Sequence, residues 1–137
     1  MNKLFGIILI VLAIVIAIMP IFTDCQSQGK SLTTTTGKVV PMKCHWSGVA
    51  EIGVAVPLLA VGVIMAANRR KNILTTMGIL GIILGAIVIA FPNWLIGVCS
   101  TPTMICHTVM NPGLTVLGSL VVVTSLGAII LARKVKD

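Results

Sequence analysis

The residues with most chemistry to offer come in a repeated pattern. Met42-Lys43-Cys44-His45 is restated as Met104-Ile105-Cys106-His107, and an isolated cysteine precedes each copy, Cys25 and then Cys99. Thioether, thiolate and imidazole groups are soft or borderline donors that suit copper, while paired histidines suit haem iron. His45, His107, Met42 and Met104 are therefore candidate metal ligands. The cysteines offer two further chemistries. As disulfides, Cys25, Cys44, Cys99 and Cys106 would brace the loops that carry them. As thiols, they would exchange with other disulfides. Four cysteines allow three pairings. Cys25–Cys44 with Cys99–Cys106 keeps each bond within one loop and is the pairing expected, while the two alternatives cross-link the halves of the chain.

Spacing weighs against the sharper chemistries. Four helices with two outward cysteine pairs share a layout with quinone-coupled disulfide-forming membrane proteins and vitamin K epoxide reductases. Those enzymes use Cys-x-x-Cys, whose geometry and activated thiolate support exchange. Here 18 residues separate Cys25 from Cys44 and six separate Cys99 from Cys106. The Cys-x-x-Cys-His signature of covalent haem attachment is absent as well. A disulfide-bonded cysteine is lost as a ligand, and a histidine beside it can simply hydrogen-bond a neighbouring loop. No cofactor is expected on these grounds, with haem or copper at His45 and His107 as the alternative. No phosphate-binding glycine loop or hydrolytic constellation occurs.

The elements that position these residues follow from composition. Hydrophobic residues make up 57% of the 137-residue chain and charged residues 9%, too few charges to cover a water-facing surface. Apolar stretches run from Leu4 to Phe22, Gly48 to Ala67, Ile73 to Phe91 and Gly113 to Ala132. Each has roughly 19–20 residues, enough to cross a hydrocarbon core of ~30 Å as a helix. Lipid leaves an isolated apolar segment no other way to satisfy its backbone. The net charge of +7 sits at segment ends, and no basic–aromatic interleaving speaks for nucleic acid. Arg69, Arg70 and Lys71 join the middle segments, with Lys3 and Arg133, Lys134 and Lys136 at the termini. The positive-inside rule makes that side cytoplasmic and places both termini there. Segments 23–47 and 92–112, with every cysteine, are then extracytoplasmic. The first segment is too long for an ordinary signal peptide and lacks its cleavage site, so a retained helix is expected.

Local signals set the expected boundaries. Met19-Pro20 ends helix one. The consecutive threonines Thr33 to Thr36 favour a short strand or hairpin, or an irregular loop. Helix two begins near Trp46, with Ser47 as N-cap and a kink from Pro57 near Gly53. Glu51 is the only acid inside a span. It is either a solvated first-turn residue or a carboxylate that docks a partner or handles protons. Gly81-x-x-x-Gly85 in helix three permits close helix approach. Pro92 and Trp94 end that helix, and Asn111-Pro112-Gly113 starts helix four.

The chain thus reads as an all-α membrane protein, a single four-helix domain over 1–137. Two tandem parallel helix hairpins (1–70 and 71–137) compose it, with disulfide-braced extracytoplasmic loops. Met-x-Cys-His-Trp, the early Glu51, and the second Met-x-Cys-His before Asn111-Pro112-Gly113 resemble a bacterial family of small four-helix membrane proteins known only as a domain of unknown function. The similarity spans essentially the whole chain and carries no assigned activity. It does imply a layout similar to accessory proteins encoded near ATP-driven export permeases. The expected role is a non-enzymatic accessory or interaction subunit of a cell-envelope or export complex, set in the lipid bilayer of the cell membrane. A permease partner or homo-oligomer is open, and nucleic acid is excluded. A metal or haem protein using His45 and His107, and a membrane thiol–disulfide oxidoreductase, are the alternatives.

Overall fold

Four long helices dominate the computed structural model, which describes residues 2–24, 29, 32–40 and 43–134. Helix α1 spans Asn2–Thr23, α2 Lys43–Ala67, α3 Lys71–Ala90 and α4 Asn111–Lys134. A π-helical turn, Phe91–Leu95, prolongs α3, and a second, Cys106–Met110, leads into α4. All four helices are long and apolar enough to cross a membrane. Between α1 and α2, strands β1 (Leu32–Thr33) and β2 (Val39–Val40) pair antiparallel, which makes the threonine-rich loop a hairpin.

Several helix boundaries differ from those expected. Proline does not end α1: Pro20 lies inside its last turns, and Asp24 N–H still bonds the Pro20 carbonyl at 2.9 Å. A proline this near the end removes a single ladder bond, and Thr23 Oγ1 supplies another by donating to the Met19 carbonyl at 2.7 Å. Helix α2 begins at Lys43, so Ser47 is no N-cap; it sits a full turn inside and bonds elsewhere. Glu51 accordingly lies in the third turn, fully buried, and the solvated reading fails. Helix α2 runs unbroken through Pro57. Helical structure leading into α4 begins at Cys106, ahead of the expected Asn111.

Each helix turns one stripe inward. Leu9 and Ile16 of α1, Leu58 and Met65 of α2, Leu74 and Val88 of α3, and Leu114 and Val121 of α4 form a common core. The opposite faces carry exposed Ile7, Val11, Val56, Ile83, Val123 and Ile130. Such a surface suits lipid, where excluding solvent drives no association and helices must gain from contact.

Glycine provides that contact. A Cβ on Gly85 would lie 3.1 Å from the Gly118 carbonyl, and one on Gly118 would lie 3.0 Å from the Gly85 carbonyl. The α3 and α4 backbones therefore come close at these two glycines, with Val122 and Ile89 packed over them. Helices α1 and α2 do the same at Gly6, where a Cβ would meet the Ala66 backbone at 2.6 Å. Leucine at Gly85 or Gly118 is expected to cost about 1–3 kcal/mol by overpacking. Thermal unfolding in detergent should show a clear drop in midpoint for both. Gly53→Ala, which meets nothing within 4 Å, should leave the midpoint unchanged or slightly raised.

Candidate functional site

The end of the bundle opposite the chain termini concentrates the chemistry. Cys44 opens α2 and is fully buried at the head of the inward stripe that continues through Ser47, Gly48 and Glu51. Cys106 is buried in the second π-helical turn, and Cys99 is half-buried in the loop after the first. Gly97 determines where that loop goes. Its φ of +77° is left-handed, and its N–H closes onto the Phe91 carbonyl at 3.0 Å. Only glycine takes this conformation freely. The reversal presents the Gly97 carbonyl to α2, where Ser47 Oγ donates to it at 2.9 Å.

Two residues further on, Cys99 Sγ stands 3.5 Å from Cys44 Sγ. The Sγ atoms of Cys44, Cys99 and Cys106 all lie within 4.8 Å of one another. This corrects the expected Cys99–Cys106 staple, while the expected Cys25–Cys44 bond rests on a residue outside the described ones. No S–S bond joins the described cysteines, because the tie between Ser47 and Gly97 draws the second loop onto the first half of the chain. Sulfurs from both halves then share one cluster. A disulfide needs sulfurs about 2.05 Å apart. Sulfurs arranged tetrahedrally at ~2.3 Å around a metal stand about 3.8 Å from one another, within the range found here. Cys25 and Met42 lie outside the described residues.

The histidines do not join the cluster. His45 Nδ1 lies 2.6 Å from Asp24 Oδ2. A carboxylate can only accept, so the proton resides on Nδ1 and the ring offers Nε2 outward. The pair flanks a mostly apolar cleft between α1 and α2, about 280 Å³ in volume, with Pro20, Gly48 and Ile52 in its walls. Gly48 makes the approach of the helices possible, since a Cβ there would meet Pro20 at 2.9 Å. His107 behaves differently: its Nδ1 is buried and finds no hydrogen-bond partner among the described residues. Met104 packs against the core.

Asp24, Ser47 and Gly97 are the functional neighbours that sequence reading missed. Asp24 left a signal, being one of only three acidic residues in the chain and adjacent to Cys25. Ser47 and Gly97 left none, because their bond spans 50 residues.

The sequence matches the family described as Domain of unknown function (DUF4418) over residues 7–131. No curated protein and no solved structure matches it.

Removing either partner of the Asp24–His45 pair should weaken the α1–α2 end of the bundle. His45→Ala would remove the imidazole's hydrogen bond to this largely buried carboxylate, at a cost of about 1–3 kcal/mol. A double-mutant cycle with Asp24→Asn and His45→Gln, read by thermal unfolding, should give a coupling energy of about 0.5 kcal/mol or more. Additive effects would mean that the contact contributes nothing.

Proposed function

The chain belongs to the DUF4418 family, and we propose that it is a multi-pass membrane protein that holds a soft metal ion between thiolates at one end of its helix bundle. The observation behind this reading is the convergence of Cys44, Cys99 and Cys106 from both halves of the chain. An all-sulfur donor set suits copper(I) or zinc. Neither histidine belongs to this donor set, so it is not a histidine pair suited to haem that converges here. Burial of Cys44 and Cys106 would keep water and competing ligands from the ion.

The wider role is that of an accessory or interaction subunit of an envelope or export complex, without catalysis of its own. In this reading the thiol end is extracytoplasmic. Support comes from the opposite end, where Arg69 and Arg70 between α2 and α3, and Arg133 and Lys134 at the end of α4, are exposed. The two hairpins, 1–70 and 71–137, act as equivalent repeats that share one centre. Support for that comes from the duplicated cysteines, since both halves of the chain contribute to the cluster. The exposed apolar faces would meet lipid, a permease or a second copy of the chain.

One observation favours a second reading. The 3.5 Å contact between Cys44 and Cys99 brings two thiols close enough to form a bond. Exchange with a disulfide of a client protein would oxidise this pair, passing two electrons and two protons to the client's cysteines.

Protein purified without oxygen distinguishes the two. The metal reading predicts about one copper or zinc ion per chain and sulfur-to-metal charge-transfer absorption after cobalt loading. Both should be lost in Cys44→Ser and Cys106→Ser and retained in His45→Ala. A metal-free protein that forms a Cys44–Cys99 bond with a disulfide reagent, mapped by mass spectrometry, would replace the metal reading with the redox one. A metal-free protein with inert thiols would remove both.

A further inference from the structure

Glu51 is fully buried, and neither of its carboxylate oxygens finds a hydrogen-bond partner among the described residues. Oδ1 of Asn111 is buried in the same condition. A buried polar atom without a partner is rare in a native fold, and a carboxylate within an apolar bundle is costly unless something of opposite charge meets it.

Helical register puts both residues inward of the sulfur cluster. Glu51 follows Cys44 by seven positions, so the two lie on one face of α2, about two turns apart at ~3.6 residues per turn. Ser47 lies between them on the same buried stripe. On the other side, Asn111 N–H bonds the Cys106 carbonyl five residues back, because the chain is π-helical there. That wider turn stacks Asn111 about one turn inward of Cys106. The sulfurs of Cys44 and Cys106 are within 4.8 Å of each other, so the buried stripes of α2 and α4, which lie diagonally across the bundle rather than side by side, face one another at this end.

The orphaned atoms share one chemistry. Both Glu51 oxygens and Asn111 Oδ1 accept. Ser47 Oγ has committed its proton to the Gly97 carbonyl and can only accept in addition. A proton on Glu51 would join one oxygen of the acid to one acceptor and leave the others unmet. A cation would coordinate them all. Oxygen donors select a hard cation, and one carboxylate in an apolar interior balances a single positive charge. His107 Nδ1, also buried without a partner, can donate as well as accept and does not discriminate. We propose that Glu51, Asn111 and Ser47 hold a dehydrated monovalent cation of the sodium class inside the bundle, beneath the thiol cluster. This second site is independent of any metal on the cysteines.

The test uses the full chain in lipid nanodiscs, with sodium chloride compared against choline chloride at equal ionic strength. Equilibrium binding of radioactive sodium and thermal unfolding are the readouts. Wild-type protein should bind about one sodium ion per chain and unfold at a higher temperature in sodium than in choline. Glu51→Gln, which keeps the shape and removes the charge, should abolish both effects. Asn111→Leu should weaken binding roughly tenfold or more. Cys44→Ser should keep the sodium response while losing any thiolate metal, so the two sites can fail separately. Wild-type protein indifferent to sodium would overturn the proposal. So would sodium binding undiminished in Glu51→Gln and Asn111→Leu, which would mark a surface ion. Should Glu51→Gln not fold, wild-type binding and the Asn111→Leu titration decide the matter.

Discussion

Helices immersed in an apolar solvent gain little by hiding apolar surface, so a bundle of this kind depends on how closely its backbones can approach. Gly85 and Gly118 put the α3 and α4 backbones in mutual contact, and Gly6 does the same for α1 against α2. Side chains such as Leu58, Met65 and Val121 then fill the space that this spacing leaves. Larger residues at the glycines would separate the helices. The polar groups at the end of the bundle would lose their alignment as a result.

That alignment is carried by a few polar contacts. Pro20 against Gly48 brings the end of α1 close to α2, within reach of the Asp24–His45 bond. The left-handed turn at Gly97 offers its carbonyl to Ser47 and carries Cys99 to Cys44. Two π-helical turns flank this loop, at Phe91–Leu95 and Cys106–Met110. Each widens the helix where cysteine-bearing backbone meets it. Irregular helices of this sort commonly mark functional positions, and here the second one aligns Cys106 with Asn111.

Sulfur above and oxygen below would make a site of graded hardness. The thiol cluster suits soft ions, whereas the proposed Glu51 site suits a hard one. The two share α2, on which Cys44, Ser47 and Glu51 form one buried line. Ser47 links the two, since its hydroxyl proton places the loop that bears Cys99 and its side chain lies on the same buried line as Glu51.

Four apolar stretches of spanning length determined the helices and their number, because lipid permits an isolated apolar segment only one way to satisfy its backbone. The duplicated Met-x-Cys-His likewise marked the residues around which the site is built, and the glycines of α3 marked a packing surface. Helix ends were less legible: Pro20 and Ser47 carry strong local signals for boundaries, yet tertiary packing and a distant carbonyl overrode both. What the tertiary structure alone decided is which groups meet. Cysteine spacing suggested two separate loops, and the fold instead gathered Cys44, Cys99 and Cys106 into one cluster while turning His45 away to Asp24. Burial of Glu51 was decided there too, because a helix beginning at Lys43 rather than near Trp46 moves that carboxylate from the first turn into the interior. The contacts Ser47–Gly97 and Cys44–Cys99 join residues 50 or more positions apart, and local propensity holds no record of them.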